Sequence, residues 1–145
     1  MSGEESISVV IPLMNEEPNL FPLFSKLRSV LNRLGMPWEV IFVDDGSTDN
    51  SPTILERICL ENENVCVIQL RRNFGKSAAL SAGFALAKGT IIVTMDADLQ
   101  DDPSEIPRML EKIRKGYDLV SGWKFIRRDL IYPQFYHPLS RAQRR

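Results

Sequence analysis

The run Thr90-Ile91-Ile92-Val93-Thr94-Met95-Asp96-Ala97-Asp98-Leu99-Gln100-Asp101-Asp102 passes from β-branched apolar residues straight into acids. This apolar run, introduced by Gly89, reads as a strand, and the βα alternation around it makes it one strand of a parallel sheet. Open parallel α/β sheets bind their ligands outside the carboxyl ends of the strands. The acids after Met95 therefore stand where such a fold does its chemistry.

The same unit recurs outward from this strand. Ile7 to Ile11 is a β-branched strand closed by Pro12, and Leu20, Leu23, Phe24, Leu27, Val30, Leu31 and Leu34 then recur at helical spacing until Gly35 stops the helix. Val40 to Val43 is a second strand, Pro52 to about Glu61 a helix with Ile54, Leu55 and Ile58 inward, and Val65 to Leu70 a third strand. A small-residue helix from Ser77 to Lys88 precedes the run at Thr90, with Ala78, Ala79, Ala82 and Ala85 allowing close approach to its neighbours. Pro103 opens a further helix with the stripe Ile106, Met109, Leu110 and Ile113, ended by Gly116, and Asp118 to Ser121 is expected as a fifth strand. This alternation predicts an α/β fold: a Rossmann-like, open, mostly parallel sheet flanked by helices.

The 145 residues, 43% hydrophobic and 26% charged with a net charge of −1, have the balance of one soluble globular domain. No apolar stretch approaches the roughly 20 residues of a bilayer span. The acidic start Met1-Ser2-Gly3-Glu4-Glu5 lacks the basic region and cleavage site of a secretory signal. The expected compartment is cytoplasmic, and no nucleic-acid partner is expected. Cys59 and Cys66 have no His or Cys at metal-ligand spacing and read as core. From Lys124 onward, Arg127, Arg128, Arg141, Arg144 and Arg145 add to a basic tail opposed by Asp129 alone. Such a tail is either a solvated segment or an attraction to anionic headgroups at the cytoplasmic membrane face. His137 in this tail is expected at the surface, and Trp123, Tyr132 and Tyr136 leave an apolar edge that would support self-association.

Every expected strand end is polar: Asn15-Glu16-Glu17, Asp44-Asp45-Gly46-Ser47-Thr48-Asp49, Arg71-Arg72-Asn73, and Asp96-Ala97-Asp98. One such cluster is explained by helix capping, which Asp, Ser and Thr favour. Four clusters on one edge exceed what capping needs, and the converging carboxylates repel one another unless a cation joins them. Asp96 and Asp98, two apart on a chain leaving a strand, can face one side with Ala97 turned away. They form a hard-oxygen pair suited to Mg²⁺ or Mn²⁺ completed by a diphosphate. Asp45 can accept from a base N–H or a ribose hydroxyl where Gly46 permits close backbone approach. Arg71, Arg72 and Lys76 are candidates for phosphate contact.

Gly75-Lys76-Ser77 also suggests the phosphate loop of nucleotide triphosphatases, but position 70 is Leu where that loop needs its first glycine. A dinucleotide fingerprint after the first strand is replaced by Pro12-Leu13-Met14-Asn15-Glu16. A noncatalytic nucleotide-binding remnant or interaction module is the alternative from another class.

Taken together, Val9-Val10-Ile11-Pro12-Leu13-Met14-Asn15-Glu16, Val43-Asp44-Asp45-Gly46-Ser47-Thr48-Asp49, Arg71-Arg72-Asn73-Phe74-Gly75-Lys76 and Asp96-Ala97-Asp98-Leu99-Gln100-Asp101 resemble the family 2 glycosyltransferases over residues 7–124. The second pair of blocks is most similar to the polyprenyl-phosphate sugar transferases. The resemblance implies a glycosyltransferase A-type fold, with 1–124 as the nucleotide-sugar-binding domain and 125–145 as an irregular basic tail. It implies inverting transfer of a hexose from a UDP- or GDP-linked donor to a polyprenyl phosphate, assisted by Mg²⁺ or Mn²⁺. Pro12, Glu16, Val43 and Asp45 would hold the nucleoside; Asp96 and Ala97 would contact ribose and diphosphate. Asp98 would be the metal ligand, with Asp96 and Gln100 beside it. Lys124 stands where related proteins carry an arginine near the diphosphate, and Met14 where the family has an aromatic residue beside the base, which keeps apolar contact without ring stacking. Family members continue well past position 145, so a truncated fold that binds donor without turnover is expected.

Overall fold

The computed structural model describes residues 3–120. The expectations placed on Lys124, His137, Trp123, Tyr132, Tyr136 and the basic tail fall outside that range. The chain divides into two compact units, Met1–Asp101 and Asp102–Arg145. This division lies in the acidic loop after the fourth strand, ahead of the boundary expected at residue 124.

In the first unit, β1 (Ile7–Leu13), β2 (Trp38–Asp44), β3 (Val65–Gln69) and β4 (Ile91–Thr94) form a parallel sheet in the order β3-β2-β1-β4. The helices α1 (Leu20–Arg33), α2 (Ser51–Glu61) and α3 (Lys76–Leu86) make the crossovers. The first two crossovers step one way across the sheet, and the third steps back past β1. Right-handed crossovers in opposite directions place their helices on opposite faces. Phe24 of α1 meets Phe42 edge-on at 6.2 Å, on one face. Ile41 and Val43, which alternate with Phe42, join Val10 and Ala79 of α3 in a buried cluster on the other. The reversal of direction creates a switch point between β1 and β4, and the polar strand ends open onto it.

β1 is buried at every position, as its unalternating sequence predicts. It does not end at Pro12, however, but runs on to Leu13. The reason lies in the two ladders. In β1 the odd residues address β2, with Asp45 N–H donating to Leu13 O at 2.8 Å, and the even residues address β4, with Met95 N–H donating to Val10 O at 3.1 Å. Proline lacks a donor only toward β4, so it ends that ladder while the β2 ladder continues. Pro12 thus marks where the chain carrying Asp96 and Asp98 leaves the sheet.

α1 buries Leu20, Leu23, Phe24, Leu27, Val30 and Leu31, the stripe read from the sequence, and Gly35 at φ +67° follows its end. Each such side chain contributes about 1.5–3 kcal/mol on burial. The small-residue face of α3 differs from expectation. Ala79 and Gly83, four apart, are buried, whereas Ala78 and Ala85 are exposed. Gly83 is needed because a Cβ there would collide with Val10 Cγ1 and lie 3.3 Å from Val43 Cγ2. Cys59 and Cys66 are partly buried free thiols rather than fully core. Burial pushes the Cys66 thiol up, with smaller contributions from Cys59 and Glu39.

In the second unit, Asp102 accepts from Ser104 N–H at 3.0 Å and caps the 3₁₀ turn Pro103–Glu105. The turn leads into α4 (Ile106–Arg114), whose buried residues are Ile106 and Leu110. The fifth strand is not present at Asp118–Val120: these residues join no ladder among the described residues. Strand propensity is chiefly a preference for a pleated neighbour, and a three-residue apolar hint supplies none.

Gly83→Ala is expected to lower stability by a net ~1–2 kcal/mol, since overpacking against stiff valines costs about 1–3 kcal/mol and the gain in helix propensity offsets up to ~1. Urea unfolding should show a lower midpoint at unchanged slope.

Candidate functional site

The loops at the carboxyl edge of the sheet hold one another through side-chain oxygens. Asn15, just past β1 at φ +53°, accepts through Oδ1 from the N–H groups of Thr48 and Asp49 at 2.7 and 3.2 Å. Asparagine tolerates this left-handed conformation better than most residues. In return, Ser47 Oγ accepts from Asn15 N–H at 2.9 Å, Ser51 Oγ from Glu16 N–H at 3.1 Å and Asp49 Oδ2 from Glu17 N–H at 3.2 Å. Asp49 Oδ1 also takes the N–H of Ser51 at 2.9 Å. Burial pushes the Asp49 carboxyl up, but the Ser51 hydroxyl and the backbone N–H groups of Ser51 and Glu17 together bring it below the usual value.

Asp44 and Asp45 point to different work. Asp44 is fully buried; its Oδ1 closes the turn by accepting from Ser47 N–H at 2.9 Å, and its Oδ2 has no hydrogen-bond partner among the described residues. Asp45, 6% exposed, receives Phe74 N–H on Oδ1 at 2.8 Å and Gly75 N–H on Oδ2 at 3.0 Å. It ties the end of β2 to the loop before α3. Gly46, at φ +81°, does permit a close backbone approach, but to this same loop: a Cβ would lie 2.5 Å from Asn73 N and 2.6 Å from the Arg72 carbonyl carbon. Met14 is 40% exposed at the mouth, its sulfur bonded by the Asn73 amide. The Arg72 guanidinium lies over the Phe74 ring, 4.6 Å from its centroid.

After β4, Asp96 and Asp98 are partly exposed and Ala97 is buried at 3%, the alternation read from the sequence. Asp96 N–H donates to Asp101 Oδ2 at 2.7 Å, and Gln100 N–H donates to Asp98 Oδ1 at 3.1 Å. Leu99 holds φ +64°, a left-handed conformation that costs a non-glycine residue roughly 1–2 kcal/mol. Lys76, the first residue of α3, places its ammonium 2.6 Å from Asp96 Oδ1.

The edge thus gathers Met14, Glu16, Asp45, Lys76, Asp96, Asp98 and Gln100 in the first unit. Pro12 and Val43 sit inside the strands, and the Val43 side chain belongs to the core beneath α3. Sequence reasoning missed the structural parts of Asn15, Ser47, Asp49 and Ser51 and the turn at Leu99. The first four carry the signal of short polar residues after a strand; Leu99 carries none. Among the described residues no three His, Cys, Asp or Glu side chains form a metal cluster. Two carboxylates, Asp96 and Asp98, fit Mg²⁺ or Mn²⁺, which commonly take one or two carboxylates and complete their shell with phosphate and water.

Two outcomes follow from these bonds. Asp45→Ala should speed hydrogen exchange at the Phe74 and Gly75 amides by about tenfold or more, as bonds to a charged group contribute roughly 1.5–3 kcal/mol; unchanged protection would show that the loop is held otherwise. For Asp49, a lowered carboxyl contributes stability that is present above its unfolded value and is lost as pH falls through the folded one. Side-chain NMR titration should find Asp49 below 3.8, with its hold on Glu17 released in acid and Asp49→Asn insensitive over that range.

The family model "Glycosyl transferase family 2" matches residues 8–143, past residue 124, where the resemblance read from the sequence ends. Undecaprenyl-phosphate 4-deoxy-4-formamido-L-arabinose transferase of Pectobacterium carotovorum is 40% identical over 129 residues, 88% of this chain and 39% of that protein. The protein of the same name from Pseudomonas fluorescens is 42% identical over 127 residues, 87% of this chain and 37% of that protein. The chain thus spans about two fifths of the length of the curated relatives it matches. Among solved structures, Staphylococcus aureus TarS 1-349 in complex with UDP is 25% identical with a TM-score of 0.59, covering 77% of this chain and 32% of that one. The mannosyltransferase PcManGT of Pyrobaculum calidifontis, in complex with GDP-Man and Mn²⁺, shares the fold at a TM-score of 0.62 and 23% identity, over 76% of this chain and 32% of that one. Because the family match takes in the loops after all four strands, the chain belongs to glycosyl transferase family 2.

Proposed function

We propose that this chain supplies the donor-binding half of an inverting glycosyltransferase that moves a sugar from a UDP- or GDP-linked donor to a polyprenyl phosphate. The observation that carries this reading is the gathering of Asp45, Lys76, Asp96 and Asp98 at the carboxyl edge of a parallel sheet, beside its switch point, in a family 2 domain. The names of the relatives support a polyprenyl phosphate acceptor. Those names carry an arabinose derivative, so the hexose expected from the sequence widens to a glycosyl group that includes modified pentoses.

Asp45, already fixed by two N–H groups, keeps lone pairs to accept from the donor base, and the exposed apolar surface of Met14 covers its edge. Glu16, whose Oε2 accepts from the Asn19 amide at 2.7 Å, would hold the nucleoside at this rim. Ala97, with its methyl buried, offers only backbone to ribose and diphosphate. Asp96 and Asp98 would hold Mg²⁺ or Mn²⁺, which supplies positive charge opposite the leaving diphosphate. Lys76 adds a mobile positive charge to the same oxygens. A polyprenyl phosphate is an anion at neutral pH, so its oxygen attacks the anomeric carbon opposite the leaving group, with inversion and without a general base.

Calorimetric titration with UDP- and GDP-linked sugars, with and without Mn²⁺, tests the reading. Metal-dependent binding of one donor, weakened at least about tenfold in Asp98→Ala, is expected, in line with the loss of a charge-assisted ligand. A folded chain that binds neither donor would overturn the reading in favour of a noncatalytic module.

A further inference from the structure

The Lys76–Asp96 contact joins residues 20 apart in sequence and is short, at 2.6 Å. Its two ends differ in freedom. The Asp96 side chain is 25% exposed, and the backbone there is pinned by Asp96 N–H on Asp101. The Lys76 side chain is 61% exposed. Its root is fixed, because Asp45 grips the two preceding backbone N–H groups, of Phe74 and Gly75, so the ammonium pivots on a set stem. Exposed ion pairs of this kind contribute little and exchange readily. An ammonium is also a compact point charge without the geometric demands of a guanidinium.

We propose that Lys76 is a placeholder cation: it occupies Asp96 in the ligand-free chain and passes to the donor's diphosphate when a divalent cation takes Asp96. This rests on the donor-site reading above and adds to it a coupling between the two ligands. Ammonium and divalent ion compete for one carboxylate, so the metal alone must displace Lys76 into water. With a nucleoside diphosphate present, the displaced ammonium gains anionic oxygens, and metal and nucleotide then favour each other. The coupling is reciprocal, since either ligand changes the other's affinity by the same factor. Lys76 is accordingly a positioning residue that keeps the carboxylate poised and discourages metal uptake before the donor arrives.

The test measures Mn²⁺ binding to the whole chain by loss of the free-ion paramagnetic resonance signal, alone and with saturating UDP or GDP, against a nucleotide-only control. Lys76→Met should bind Mn²⁺ alone more tightly than the wild type, by roughly two- to fivefold, the scale of removing an exposed competing charge. The enhancement of Mn²⁺ binding by nucleotide should shrink by a similar factor, and Lys76→Arg, which keeps the charge but not the compact ammonium, should stay closer to the wild type than Lys76→Met in both. If the wild type shows nucleotide-enhanced Mn²⁺ binding but Lys76→Met binds Mn²⁺ alone no more tightly, the placeholder role is overturned and the donor site stands. If the wild type takes up neither Mn²⁺ nor nucleotide, the donor-site reading falls and the placeholder role falls with it.

Discussion

Side-chain oxygens holding backbone N–H groups of neighbouring loops are the interaction on which this edge of the molecule depends. A parallel sheet ends each strand in a loop whose peptide groups have left the ladder and need new partners. Here Asn15 and Asp49 bind the first and second loops to each other, and Asp45 binds the second to the third. Helix capping accounts for less of this chemistry than the residue types suggest: α1, α2 and α3 each start without a side-chain cap bond from the residue before them. The polar residues instead join one loop to the next, which converts separate turns into a single rim. Such preorganisation favours binding because a ligand need not order the loops itself.

The position of that rim follows from backbone geometry. The order β3-β2-β1-β4 places the reversal of winding between β1 and β4, so the loops after these two strands diverge and leave a crevice. Pro12 sharpens it: with no N–H to offer β4, it lets the chain depart at Met95, two residues before β1 itself ends its pairing with β2. On the far side of the sheet, Gly83 allows α3 to approach Val10 and Val43. Lys76 begins that same helix, so close packing in the core and the placement of a charged group at the rim are two ends of one rigid element.

Charge is balanced along the rim in a way that suits exchange. Asp45 is nearly buried and neutral backbone dipoles satisfy it, whereas Asp96 remains partly exposed and meets a mobile ammonium. The first arrangement is costly to disturb, since removing a partner leaves a desolvated charge. The second is cheap to rearrange. In the function proposed above, the fixed carboxylate would recognise the nucleoside, and the labile one would serve a metal and diphosphate that come and go.

The sequence by itself determined the parallel α/β fold, the extents of α1 and α2 to within a few residues, and the strand ends that gather into the site. Those properties are periodicities and punctuation written locally, in the stripe from Leu20 to Leu31, the apolar run at β1 and the glycine at position 35. The tertiary structure alone decided that Pro12 lies inside a strand, that Ala79 and Gly83 rather than Ala78 and Ala85 are buried, and that Asp118–Val120 joins no ladder among the described residues. It also decided the partners of the rim: Asp45 with a loop about 30 residues away and Lys76 with Asp96. A residue's type shows that it can accept or donate a hydrogen bond, but which group meets it depends on strand order and crossover hand, and these exist only once distant segments have packed.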